Sequence, residues 1–141
     1  MRVVIDTNLW VSYLIHPNSP LIPGLDHVMA KHTLLYSSAT LAELAEVLTR
    51  PKFARYIEAE TVRAFIAEFI AAGEEVVIDQ EITACRDPRD NKFLELAVCG
   101  DADRILTGDK DLLMQHPFRD IAILTVAALL KQPEGSGSRM G

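Results

Sequence analysis

Cysteine is scarce in this chain, with two in 141 residues, Cys85 and Cys99, and no Cys-x-x-Cys pair. Two thiols cannot hold a structural zinc by themselves, so free buried thiols in a reducing, cytoplasmic setting are the expectation. No apolar run approaches the roughly 20 residues that span a bilayer, and no membrane association is expected. The opening Met1-Arg-Val-Val-Ile-Asp6 runs straight into an apolar strand, without the pattern of a signal or transit peptide. Positive charge is short as well. Fourteen Lys and Arg against 20 Asp and Glu leave a net charge of −6, the wrong sign for a broad phosphate-binding face. An enzyme that meets nucleic acid at one metal-loaded cleft stays compatible with that balance, because a bound cation inverts the local field. No serine or cysteine nucleophile stands beside a plausible histidine, which removes triad chemistry. His16, His27, His32 and His116 show no metal-ligand spacing.

What is present reads as one domain, with 49% hydrophobic and 24% charged residues. Apolar runs predict strands over 2–5, 33–36, 75–78, 103–107 and 121–126. Between them, helical periodicity predicts helices over 8–14, 21–31, 40–50, 52–57, 60–72, 90–98 and 110–115, with a last turn over 127–131. Strands alternating with helices imply an α/β fold, a parallel five-stranded sheet covered on both faces as a three-layer α/β/α sandwich. The domain is placed at 1–131, and the Pro/Gly/Ser-rich 132–141 is expected to be a disordered tail. There is no internal repeat.

In an open parallel sheet, ligands bind beyond the carboxyl ends of the strands. Asp6 ends the first strand and Asp109 follows the fourth. Glu43 is expected in the first turn of one helix, and Asp90 at the start of another, where helices that follow strands begin. Four carboxylates from distant segments are therefore predicted to converge. Such a group repels itself unless a cation is present, and an all-oxygen donor set suits Mg²⁺ or Mn²⁺, one or two ions. Asp111 is a candidate fifth ligand, favoured over Asp87. Thr7, Asn8 and Thr107 can orient the carboxylates by hydrogen bonds. Arg86, Arg89 and Lys110 are candidate phosphate or partner contacts, whereas Arg50, Lys52, Arg55 and Arg63 read as a solvated basic face.

Each acid also has a plainer reading. Asp6 can cap the first helix, and Glu43 can close a capping box with Thr40. Asp90 suits a helix start, and Asp109 and Asp111 suit a turn. The inference rests on all four landing at one edge.

The segments Val3-Val-Ile-Asp6-Thr-Asn, Thr40-Leu-Ala-Glu43-Leu, Asp87-Pro-Arg-Asp90-Asn-Lys-Phe-Leu-Glu-Leu-Ala and Ile105-Leu-Thr107-Gly-Asp109-Lys-Asp111-Leu resemble the PIN-domain ribonucleases. The nearest likeness is to toxins of toxin–antitoxin systems related to VapC, over roughly residues 2–130. The resemblance implies a Rossmann-like sandwich, Mg²⁺- or Mn²⁺-dependent endoribonuclease activity, a homodimer and a cognate antitoxin. By position it implies Asp6, Glu43, Asp90 and Asp109 as the acidic quartet, with Thr107 as the polar residue of the last catalytic strand. Leu112 stands where family members commonly carry an aromatic. A receiver-like Mg²⁺-binding signalling domain is the competing class: Asp79 would be its phospho-acceptor, but Asp6-Thr-Asn supplies one acid where a pair is needed. A dehalogenase-type phosphatase needs Asp-x-Asp there, and Asn8 fails it. A PIN module that binds a partner without turnover is the third reading.

Overall fold

The computed structural model describes residues 1–132; of the tail expected over 132–141, all but Gln132 lies outside them. The strands are β1 (Arg2–Ile5), β2 (Thr33–Tyr36), β3 (Glu74–Glu75), β4 (Arg104–Leu106) and β5 (Ala122–Leu124). They form one sheet in the order β3-β2-β1-β4-β5, with every pairing parallel. The helices are α1 (Thr7–Ile15), α2 (Leu21–Lys31), α3 (Ser38–Leu48), α4 (Ala59–Ala72), α5 (Asn91–Cys99), α6 (Lys110–Leu113) and α7 (Val126–Leu130). The α/β/α sandwich expected from alternation is what forms.

Period-two side-chain alternation divides the core between the two faces of the sheet. Val3, Ile5, Leu34 and Leu106 face one layer with Leu9, Trp10, Leu25, Val28, Leu44, Val47 and Val62. Val4, Leu35, Ile105 and Ile123 face the other with Phe93, Leu94, Leu96 and Leu112. On the first face, Trp10 lies against Phe65 and Phe69, with ring centroids 5.3 and 5.6 Å apart. That aromatic contact ties α1 to α4 and so fixes the start of α1 over the sheet edge. The apolar stretches 9–14 and 62–70 spend these side chains on each other.

Several boundaries differ from the sequence expectation. The helix expected over 40–50 starts at Ser38, because Ser37 caps it: Thr40 N donates to Ser37 Oγ and Ser37 N donates to Thr40 Oγ1. The capping box is thus Ser37/Thr40 and not Thr40/Glu43, and Glu43 moves into the second turn. The strand expected over 75–78 shrinks to Glu74–Glu75. Val76 N still reaches Tyr36 O at 2.8 Å, but the chain then leaves the sheet, with Val76 buried and Val77 83% exposed. The expected helix over 52–57 is a 3-10 turn at Pro51–Phe53, and Asp90 closes a second 3-10 turn, Pro88–Asp90, ahead of α5. Gly73 ends α4 in extended backbone, not the left-handed geometry that glycine often supplies there. Its role is close approach: a Cβ would stand 2.9 Å from Phe69 O and 3.2 Å from Leu34 O. Asp79 lies beyond an edge strand, within 3.2 Å of the Cys99 thiol, far from the central position a receiver's phospho-acceptor requires.

Candidate metal centre

β1 is the central strand, and Asp6 leaves its carboxyl end as the N-cap of α1, one oxygen accepting from Asn8 N at 3.2 Å. Its other oxygen accepts from Thr107 Oγ1 at 2.7 Å, and that same hydroxyl accepts from Asp109 N at 2.9 Å. Thr107, 1% exposed, therefore joins the β1 and β4 ends at one atom. Asp109 caps α6 by accepting from Asp111 N at 2.8 Å. On α3, Glu43 accepts from Thr7 Oγ1 at 2.9 Å and from Lys92 Nζ at 3.2 Å, and Lys92 also donates to Arg89 O at 2.7 Å. The plain capping readings hold for Asp6 and Asp109, and one oxygen of each is used that way. Neither excludes a second role, because a carboxylate has several lone-pair sites.

Asp6, Glu43, Asp90 and Asp109 all line one cleft of about 220 Å³, together with Thr7, Asn8, Val47, Arg50, Asp87, Arg89 and Phe93. The convergence inferred from strand ends is thus what the chain does. Asp111 lies just outside this lining but groups with Asp90 and Asp109, one oxygen of each within 4.8 Å of the others. Asp87 caps the 3-10 turn and is held by Arg89. Arg89 lines the cleft as expected, while Arg86 stands 3.8 Å from Asp111 and does not reach the cleft. Lys110 is exposed in the first turn of α6.

Two cations of the site are not evident from sequence. Lys92 is ion-paired to Glu43 across 49 positions, which no local pattern encodes. Arg50 does carry a readable signal: Glu43, Val47 and Arg50 are spaced i, i+4, i+7, one face of a helix continued past its end, and all three line the cleft.

The electrostatics are those of a site short of positive charge. Asp90 is 8% exposed and its Oδ2 has no hydrogen-bond partner among the described residues. Burial, followed by the hydrogen bond and charge of Asp109, pushes its carboxyl up to about 7. Asp6 is raised as well, chiefly by burial, although Thr107 and Asn8 oppose the shift. Cys85, a free thiol as is Cys99, is pushed up to about 11 by burial and then by Asp90, Asp109, Asp111 and Asp87. An orphaned, buried carboxylate oxygen among four other acids is a poor arrangement for stability and a fitting one for a hard divalent cation.

The model of the PIN domain family, in its PIN_3 branch, matches residues 2–111. Uncharacterized protein MJ1680 of Methanocaldococcus jannaschii is 35% identical over 117 residues, covering 80% of this chain and 74% of that protein. Among solved structures, VapBC2 from Rickettsia felis, crystallised bound to a DNA fragment from its promoter, superposes with a TM-score of 0.58. That match covers 88% of this chain and 97% of the other at 16% identity, a likeness of fold. The matched segment contains every acid of the cleft, from Asp6 to Asp109, and Asp111 beside it. The chain belongs to the PIN domain family.

Proposed function

We propose that this protein is a Mg²⁺- or Mn²⁺-dependent endoribonuclease, the toxin of a toxin–antitoxin pair, acting in the cytoplasm. Asp6, Glu43, Asp90 and Asp109 hold the metal, with Asp111 as a further ligand from the Asp109 side. The observation that carries this reading is Asp90 Oδ2, buried and unpartnered in a cleft that four other carboxylates share. The toxin assignment is supported by the likeness to VapBC2 in fold, and the cognate partner is accordingly an antitoxin protein. A homodimer is part of the same reading.

The chain's own residues divide the work. Thr107 fixes Asp6 and, through the Asp109 amide, the turn that carries the second β-strand acid. Thr7 and Lys92 grip the two oxygens of Glu43, one each, so that its carboxylate is oriented before any ligand arrives. Asp90 is buried where it lines the cleft, and a low dielectric there strengthens whatever charge it faces. Bound Mg²⁺ or Mn²⁺ supplies Lewis acidity toward a phosphodiester oxygen and makes water a better nucleophile. Arg89 offers a phosphate contact at the wall of the cleft, and Arg86 and Lys110 offer outer ones.

Incubation of the protein with RNA in Mn²⁺ tests this, comparing wild type with Asp6→Asn and Asp90→Asn. Cleavage is expected in the wild type and is lost with EDTA or with either substitution. Equal cleavage by both variants would remove these residues from the site, and no cleavage under any metal would favour a module that binds its partner without turnover.

A further inference from the structure

Two guanidinium groups stand in the wall of the acidic cleft, and they are held in the same way. Arg50, just past α3, donates from Nε and Nη2 to the two oxygens of Glu46, at 3.0 and 2.9 Å. Arg89, in the 3-10 turn before α5, donates from Nε and Nη2 to the two oxygens of Asp87, at 3.2 and 2.9 Å. In both, the Nη1 group makes no hydrogen bond among the described residues. Both line the cleft with the four acids. They are close enough that the charge of Arg89 acts on Arg50, and the charge of Glu43 acts on both.

Solvent-exposed ion pairs of this kind contribute little to stability, so stability does not explain two of them at one cleft. Their effect is to fix orientation. A guanidinium clamped side-on by a carboxylate loses rotamer freedom in advance, and its remaining N–H groups form a fork suited to a phosphate oxygen. Arg50 follows the helix that carries Glu43, and Arg89 shares the 3-10 turn of Asp90, so a strand contacting both guanidinium groups lies at the acidic cleft. The chain as a whole is net acidic.

We propose that Arg50 and Arg89 form a two-point clamp for backbone phosphates of a single-stranded RNA entering the acidic cleft. This rests on the nuclease reading above and adds how the strand is held. The clamp reads charge and spacing, and it carries no base preference of its own.

The test uses the whole chain loaded with Ca²⁺ and a fluorescein-labelled single-stranded 12-mer RNA, with binding followed by anisotropy and strand integrity checked on a gel. Arg50→Gln and Arg89→Gln are each expected to weaken binding roughly 3- to 10-fold, and to lower the slope of log K against log salt by about 0.7. The double variant should lose both increments. Arg50→Lys should restore the salt slope more fully than the affinity, since a point charge replaces a fork. Arg63→Gln, on the exposed face of α4, serves as the charge control and should match wild type. Thermal melts identify any variant that fails to fold. Binding and salt slope unchanged in both glutamine variants would overturn the clamp, as would a failure of the wild type to bind RNA. Arginine-dependent binding without cleavage in Mn²⁺ would sink the nuclease reading and leave the clamp standing. Cleavage with arginine-independent binding would do the reverse.

Discussion

The two edges of the sheet treat charge in opposite ways. At the amino edge, where the strands begin, charge is largely answered, although the buried Arg104 at the start of β4 keeps an Nε without a hydrogen-bond partner among the described residues. Arg2 N donates to Asp103 at 2.9 Å, its Nε donates to Gly100 O at 2.8 Å, and its guanidinium pairs with Glu74. The amino terminus donates to His32 Nδ1 at 3.0 Å. At the carboxyl edge Asp6, Glu43, Asp90, Asp109 and Asp111 gather, and among the described residues the one direct cationic partner of the quartet is Lys92 on Glu43. Both edges are made of the same strands and the same residue types. A chain that balances charge at one end of its sheet and leaves it unbalanced at the other keeps the second end for something absent from the polypeptide. That contrast, more than any single acid, favours a cation.

The largest test of the contrast is removal of a cleft acid. Asp90→Asn keeps the shape and removes the charge, and RNA cleavage in Mn²⁺ is expected to fall roughly 1,000-fold or more, since a lost metal ligand forfeits several kcal/mol of transition-state stabilisation. Single-turnover cleavage assays measure this directly. The melting temperature in EDTA should stay level or rise, because a buried, repelled carboxylate has been neutralised. A fall of several degrees would mean that Asp90 is a structural acid and that the two edges are more alike than they look.

Next in size is Thr107→Val, an isosteric loss of the hydroxyl that serves Asp6 and the Asp109 amide together. Orienting groups of this kind typically carry about 10- to 100-fold in metal affinity or activity. Calorimetric Mn²⁺ titration should show the weaker binding, and the stranded Asp109 amide should cost about 1–3 kcal/mol of stability. Loss of stability with unaltered Mn²⁺ affinity would reduce Thr107 to a fold-holding residue.

The acids of this edge were legible in the sequence because strand direction alone assigns them. Apolar runs ending at Ile5 and Leu106 put Asp6 and Asp109 at one edge whatever the strand order, and α3 and α5 start there by necessity. What was not legible depends on reach across elements. Lys92 meets Glu43 because α5 and α3 come together over the sheet, and the sequence reading left Arg50 in a solvated group. Misreading β3 had a different cause. Glu75-Val-Val-Ile78 has the residues of a strand, but Val76 and Ile82 join the Phe93 layer instead, so burial replaces the hydrogen-bonded ladder. The Thr40/Glu43 capping box failed because Ser37, three residues earlier, competes for the same role and wins with a reciprocal pair.

A third test sets the edges apart by pH. The folded-state Asp90 carboxyl titrates at about 7, well above the ordinary carboxylate range. Between that ordinary range and about pH 7 the metal-free native state holds a proton that the unfolded chain has released, so its stability falls as pH rises through this window. Melts in EDTA from pH 5 to 8 should decline by a few degrees on this account. Mn²⁺ should reverse the trend, because metal competes with that proton and binds better as it leaves. Asp90→Asn should flatten both curves. A decline that survives in Asp90→Asn would assign the titration elsewhere.

The smallest effect belongs to the balanced edge. Glu74→Gln removes the carboxylate partner of Arg2 and leaves Arg2 bonded to Gly100 O and Asp103. The Arg2 hydrogen bond draws Glu74 toward its charged form, but both groups are substantially exposed, and exposed pairs of this kind are screened and nearly neutral for stability. The melting temperature should move by no more than about one degree, and Mn²⁺ affinity and cleavage should match wild type. The substitution also changes net charge by one unit, the same change as Asp90→Asn. If long-range field governed metal binding, the two variants would shift Mn²⁺ affinity in parallel. The contrast between the edges requires instead that the same unit of charge count for orders of magnitude inside the cleft and for nothing measurable across the sheet.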